Sequence, residues 1–129
     1  ETKVSASKIS FALGSFDKNQ ISDGKILYSP PGKSGKFSGV LEVFPKIFEY
    51  YQWFLNFSFP FKCFYILFAF QVPQPIVSAN FVILDQHYLY DATLIEQAFE
   101  TRQVLGNVIA QQYFGVFVSP ESLYYNNLI

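Results

Sequence analysis

The sequence predicts an α+β fold divided near residue 35. Three observations lead there: a period-two alternation near the amino terminus, two long stretches with apolar spacings of three and four, and dense aromatic runs between them. Period two suits a half-buried strand, and spacings of three and four suit an amphipathic helix. A short apolar run bounded by prolines suits a buried strand.

Within residues 3–16, Ile9, Phe11 and Leu13 fall on one side and Ser10 and Ala12 on the other, which predicts the first strand. Asp23-Gly24 marks a turn, and Lys25-Ile26-Leu27-Tyr28 is the second strand. Ser29 to Gly35 contains two prolines and two glycines, so it reads as a linker. Residues 1–35 are thus expected to be the C-terminal strands of a β-rich N-terminal domain, and 36–129 a truncated second domain. Gly32-Lys33-Ser34 lacks the earlier glycine of a phosphate-binding loop, because Leu27 stands five positions before Gly32.

Over 38–56, Val40, Leu41, Phe44, Ile47, Phe48, Tyr51, Phe54 and Leu55 follow helical spacing. Pro45 has no amide donor and is expected in the first turn or at a kink. Tyr50, Tyr51, Trp53 and Phe54 read as core, with a partner groove as the alternative. Cys63 to Phe70 reads as a buried strand, and 76–84 as another. Thr93-Leu94-Ile95-Glu96 has capping-box spacing ahead of a second helix. Leu105, Val108, Ile109 and Tyr113 continue that helix, and Gly115 is placed to end it in the left-handed conformation.

Charged residues are only 15 % of the chain and the net charge is −1, which does not point to a basic nucleic-acid surface. Half the residues are apolar, too many for a disordered tail. Cys63 is the only cysteine, so neither an internal disulfide nor a cysteine zinc site can form, and a reducing compartment is weakly favoured. Residues 53–72 have the length of a bilayer span, but Lys62 near the middle costs roughly 2.5–3.5 kcal/mol, so no membrane contact is expected. The chain begins at Glu1 with no signal-peptide pattern and reads as an excerpt. Sixteen phenylalanines exceed what an interior this small can cover. Part of the surface is therefore expected to lie under the remainder of the domain.

One stretch carries chemistry. Asn107-Val108-Ile109-Ala110-Gln111-Gln112-Tyr113-Phe114-Gly115 resembles the metal helix of the M1 zinc aminopeptidases, gluzincins related to thermolysin, which reads His-Glu-x-x-His-Gln-Trp-Phe-Gly. Further matches follow in the family's order. Phe11-Ala12-Leu13-Gly14-Ser15-Phe16 is similar to the closing strand of its N-terminal domain. Lys46 to Tyr51 with Phe59-Pro60-Phe61-Lys62 resembles a helix and turn into its sheet. Tyr88-Leu89-Tyr90-Asp91 resembles the Leu-Leu-Tyr-Asp stretch before the metal helix, and Glu100-Thr101-Arg102 resembles the Val-Thr-Arg start of the family's conserved half. The family's Gly-Ala-Met-Glu-Asn signature should fall near 73–77, where Pro73-Gln74-Pro75-Ile76-Val77 stands. The resemblance implies a thermolysin-like second domain with an antiparallel-rich sheet.

The same resemblance implies that the catalytic positions are degenerate. Asn107 and Gln111 stand where two histidines would hold zinc, and neutral carboxamides are poor substitutes for imidazole. Val108 stands where a glutamate would act as general base, and it cannot take a proton. The third ligand would align just beyond Ile129. His87, the only histidine, lies off the expected metal face and reads as structural. No metal, no cofactor and no enzyme activity are therefore expected.

Glu100-Thr101-Arg102-Gln103-Val104-Leu105, and Gln112 through Glu121, look most like the metal-free branch of this architecture, the aminopeptidase-like TBP-associated factors of the general transcription factor TFIID. That likeness implies a nuclear scaffold whose partners are other TFIID subunits and, within the complex, promoter DNA, with no small-molecule substrate. A divergent aminopeptidase using unusual ligands, and an unrelated α+β protein-binding module, are the competing readings.

Overall fold

The computed structural model describes residues 6–32, 38–89 and 95–118. Five strands form one mixed sheet in the order β1-β2-β3-β5-β4. β1 (Asp17–Ser22) and β2 (Lys25–Ser29) make an antiparallel hairpin. β2 runs parallel to β3 (Phe64–Ala69), and β3 runs parallel to β5 (Phe81–Asp85). β4 (Ile76–Ser78) closes the far edge antiparallel to β5. Helix α1 (Ser38–Leu55) carries the chain from β2 to β3, and α2 (Ile95–Tyr113) follows β5. The α+β class matches the prediction, but the centre of the sheet is parallel rather than antiparallel-rich. A parallel pair needs a long crossover, and α1 supplies it. Strands on either side of the linker, β2 and β3, are direct neighbours.

The core lies between the sheet and the two helices. Phe64, Ile66 and Phe68 of β3, Val82 and Leu84 of β5, and Leu27 of β2 all turn to this side and are buried. They meet Val40, Phe44 and Phe48 of α1 and Leu105, Val108, Ile109 and Tyr113 of α2. Leu67 and Ile83 are buried on the opposite side of the strands. Strands apolar on both sides explain why these runs read as continuous rather than alternating. Interlocked rings join the layers: Phe48 packs at 5.0 Å from Phe44, 4.9 Å from Phe59 and 5.5 Å from Phe64, each edge-on. Such edge-on pairs contribute about 0.5–1.5 kcal/mol each beyond the area they bury.

Both helices end through specific backbone bonds. Asn56 takes φ 49° after α1, its amide donating to Trp53 and the Phe57 amide to Gln52, both at 3.3 Å. These are the paired bonds of a Schellman cap, with asparagine in the left-handed seat. Beyond α2, Gly115 has φ 113°, and the amides of Val116, Phe117 and Val118 reach back to Gln111, Gln112 and Tyr113. Gly115 thus takes the expected left-handed conformation just after the last helical residue. Pro45 sits past the first turn, inside α1, where it leaves the Leu41 carbonyl without its helical donor. Gly106 is interior to α2, where glycine costs roughly 0.5–1 kcal/mol relative to alanine.

Three further expectations are corrected. Residues 76–84, read as one strand, fold into β4 and β5, antiparallel around a turn at Ala79-Asn80 with Asn80 at φ 51°. Ile9, Phe11 and Leu13 are not in a strand; they are 71 %, 91 % and 97 % exposed. A strand needs a neighbour for its amides, and among the described residues no sheet pairing includes this segment, although Lys8 accepts from the Ala79 amide and Ser10 meets Ser78. Tyr50, Trp53 and Phe54 are exposed rather than core, leaving only Tyr51 half-buried. The capping box at Thr93 and the linker at 33–37 lie outside the described residues. No described helix is long and apolar enough to cross a membrane.

The turn at Asp23-Gly24 behaves as its residues require. Gly24 has φ +70°, and a Cβ there would lie 2.5 Å from the Lys62 carbonyl oxygen, while the Gly24 carbonyl accepts the Phe64 amide at 2.8 Å. Gly24→Ala should therefore destabilise the fold by more than the about 1–2 kcal/mol of backbone strain alone, read as a lower urea midpoint. An unchanged midpoint would contradict this account of the turn.

Candidate functional site

α2 is held at both ends by polar contacts that set its rotation. Near its start, Thr101 is buried and its hydroxyl donates to the Tyr88 carbonyl at 2.9 Å. Near its end, Gln112 is fully buried. Its Oε1 accepts the Asn80 amide at 3.0 Å, and its Nε2 donates to the Ser78 carbonyl at 2.8 Å. Gln112 therefore grips both sides of the β4–β5 turn, where Asn80 holds φ 51°. The Asn80 carbonyl in turn accepts the Tyr65 amide at 2.8 Å, which ties the turn to β3.

That rotation decides where the predicted positions lie. Asn107 and Gln111, four residues apart, are exposed on one side of α2. Val108 is 1 % exposed and belongs to the core. Gln111 borders a cleft of about 190 Å³ shared with Lys8, Val77, Phe114, Gly115 and Val116. These residues do not fit a zinc ion. Two carboxamides offer weak neutral oxygens, an ammonium shares the cleft, and the position between them is an inward-facing aliphatic side chain. No cluster of histidine, cysteine or acidic side chains that could hold a metal occurs among the described residues.

His87 stands apart from this face. Its Nδ1 lies 2.8 Å from Asp85 Oδ1, its ring packs on Tyr88 at 3.9 Å, and its Nε2 is 3.9 Å from Glu100. The Asp85 carboxylate also accepts the His87 amide and the Val72 amide, each at 2.9 Å. The His87 amide, then its ring and then the Val72 amide hold Asp85 below the usual carboxylate range. This group joins the end of β5 to the loop before β4, and it serves structure.

The second feature of α2 lies on its contact with α1. The Tyr51 hydroxyl donates to the Gly106 carbonyl at 3.1 Å, and burial raises the Tyr51 hydroxyl above its ordinary range, so it remains a donor. Val43, Lys46, Ile47, Tyr50, Tyr51, Arg102 and Gly106 border a groove of about 440 Å³ there. Sequence reasoning offered a partner groove at Tyr50 and Tyr51 only as the alternative to core, and it missed the role of Gln112. A glutamine at a helical position otherwise filled by Leu105, Val108 and Ile109 was the available signal for that role.

No known family profile matches the chain. It is similar to transcription initiation factor TFIID subunit 2 of Danio rerio, with 33 % identity over 75 residues covering 57 % of this chain and 6 % of that protein. The same subunit of Gallus gallus is 31 % identical over 75 residues, again 57 % and 6 %. That of Drosophila melanogaster is 23 % identical over 125 residues, covering 92 % of this chain and 10 % of the relative. The chain thus spans no more than a tenth of the length of these curated relatives.

Two measurements test the site. Gln112→Ala strands a buried amide and a buried carbonyl, at about 1–3 kcal/mol each, whereas Gln111→Ala on the exposed side should change stability by less than about 0.5 kcal/mol. Equal effects in chemical denaturation would refute the assignment of Gln112 as the clamp. For Asp85, a lowered carboxyl value means that stability is fully present above the unfolded value of about 4 and is lost as pH falls through the folded value. Melting temperatures of the parent and Asp85→Asn should therefore converge on acidification. A gap independent of pH would refute this.

Proposed function

We propose that the chain is part of a non-catalytic subunit of the general transcription factor TFIID, acting in the nucleus as a scaffold. The observation that carries this is the likeness to TFIID subunit 2 in three animals, extending over 92 % of the chain in the Drosophila comparison. In this reading the partners are other TFIID subunits, with core-promoter DNA contacted as part of the assembled complex. Residues 36–129 are the first part of an aminopeptidase-like domain, and residues 1–35 are the end of the region before it, whose β1–β2 hairpin joins the same sheet. Neither a small-molecule substrate nor a membrane enters the role.

The degenerate site supports a pseudoenzyme. Hydrolysis at a gluzincin site needs a metal that polarises the carbonyl and a carboxylate that activates water. Asn107 and Gln111 present amides to solvent, and Val108 is packed into the core. Restoring only one of these groups would not restore the chemistry, because a histidine at 107 or 111 still lacks a base, and a glutamate at 108 would be buried without a partner.

The test uses the full-length protein, since this chain is a small fraction of its relatives. Affinity-purified under native conditions from nuclear extract, it should bring down TBP and other TFIID subunits in stoichiometric amounts. The same preparation should carry no equimolar zinc and should not trim amino-terminal residues from peptides. Loss of the co-purifying subunits would overturn the transcription reading. Bound zinc with peptidase activity abolished by a chelator would overturn the pseudoenzyme reading.

A further inference from the structure

The groove between α1 and α2 has a floor that the fold itself does not require. Gly106 is interior to α2, has no left-handed φ, and a Cβ added to it would meet only the Tyr51 hydroxyl at 3.9 Å, an ordinary contact. Packing within the described residues therefore tolerates a side chain at this position, yet the helix carries its second-weakest residue type there. What a methyl would remove is open space above the helix backbone. Glycine at such a place permits close approach by something that is not part of this packing.

The walls and rim state what that something is. Val43, Ile47, Tyr50 and Tyr51 make one apolar wall, and Tyr50 is stacked on Phe54 at 5.9 Å, extending the aromatic surface along α1. Two cations stand at the rim. Lys46 is committed to Glu42 at 3.0 Å, but Arg102 makes no ion pair or hydrogen bond among the described residues, although its charge reaches Glu42. The rim thus keeps one unspent positive charge, on the side chain whose planar fork suits a carboxylate. Glu42 beside these cations disfavours a polyphosphate backbone, and the net charge of −1 gives no wider basic field to hold one.

We infer that the α1–α2 groove docks a short acidic, apolar-anchored peptide segment of a partner protein. A large apolar side chain seats over Gly106 against Val43, Ile47 and Tyr50, and a flanking carboxylate pairs with Arg102. This is the groove form of peptide recognition, with anchors for affinity and a charge for register. It does not rest on the transcription reading, because it follows from residues of α1 and α2 alone.

The probe is a short fluorescent peptide bearing a Leu-Phe anchor between glutamates, followed by fluorescence anisotropy on the purified full-length protein, in which a groove already covered by the remainder of the chain would register as no binding. It should bind saturably, and its counterpart with glutamines should bind at least several-fold more weakly. Gly106→Ala should raise the melting temperature while weakening the peptide roughly tenfold, since a methyl would overfill an occupied contact. Arg102→Gln should weaken it and flatten the salt dependence. The opposed signs for Gly106→Ala separate docking from simple unfolding. No binding by the parent, equal binding of the glutamine peptide, or unchanged affinity in Gly106→Ala would overturn the proposal. Displacement by duplex DNA, or self-association that Gly106→Ala abolishes, would also overturn it, in favour of a nucleic acid or a second copy of the chain.

Discussion

The buried amide of Gln112 is the contact on which the arrangement of the second half depends. A helix lying on a sheet through apolar contacts alone can rotate or slide at small cost, because such contacts are not directional. Gln112 removes that freedom by spending both ends of its side chain on the backbone of one turn, at 3.0 and 2.8 Å. Thr101 fixes the other end of α2 through the Tyr88 carbonyl. With position 112 turned inward, Leu105, Val108 and Ile109 follow into the core. Positions 107 and 111 are then carried outward. The exposure of Asn107 and Gln111 is a consequence of the clamp.

α1 is held by different means. Apart from the Tyr51–Gly106 hydrogen bond to α2, its main contacts are rings, with Phe44 and Phe48 meeting Phe59 and Phe64, and Phe59 in turn meeting Tyr113 of α2 at 5.7 Å. Aromatic pairs fix orientation through their edge and face charges, so this cluster takes the place of a polar rivet. It also explains how α1 tolerates Pro45. The bond lost at Leu41 is a single backbone hydrogen bond, whereas the rings on either side of it are anchored to the sheet.

Much of this was legible in the sequence, for identifiable reasons. Both helices, β2, β3 and the Asp23-Gly24 turn stood out, because spacing and turn chemistry are local properties, whereas the apolar run 76–84 gave no sign of the Asn80 turn that divides it into β4 and β5. What failed was non-local. The alternation of Ile9, Phe11 and Leu13 has the period of a strand, but no strand of the described residues pairs with it. Conversely, β1 is a strand of Asp17, Lys18, Asn19 and Gln20 with no apolar alternation, as suits an edge. Tyr50, Trp53 and Phe54 share the helical spacing of Phe44 and Phe48, yet only the latter pair faces the sheet. Spacing gives a stripe and cannot say how wide the covering layer is. At the candidate site, the identities at 107, 108 and 111 were visible, while their orientation and the Gly106 groove required coordinates.

The proposed likeness to a zinc peptidase and the amides at positions 107 and 111 are compatible once each residue of the stretch is assigned its work. Gln112 bonds the turn, Tyr113 fills the core beside Phe59, and Gly115 provides the left-handed bend that ends α2. These are demands of a helix seated on this sheet, and they hold whether or not a metal is bound. Asn107 and Gln111 meet no such demand, since they point to solvent, and Val108 meets a packing demand that a glutamate could not. The portion of the pattern present here is therefore the portion that shapes the fold. The side chains that touch the sheet, rather than those at positions 107 and 111, carry the resemblance in this chain.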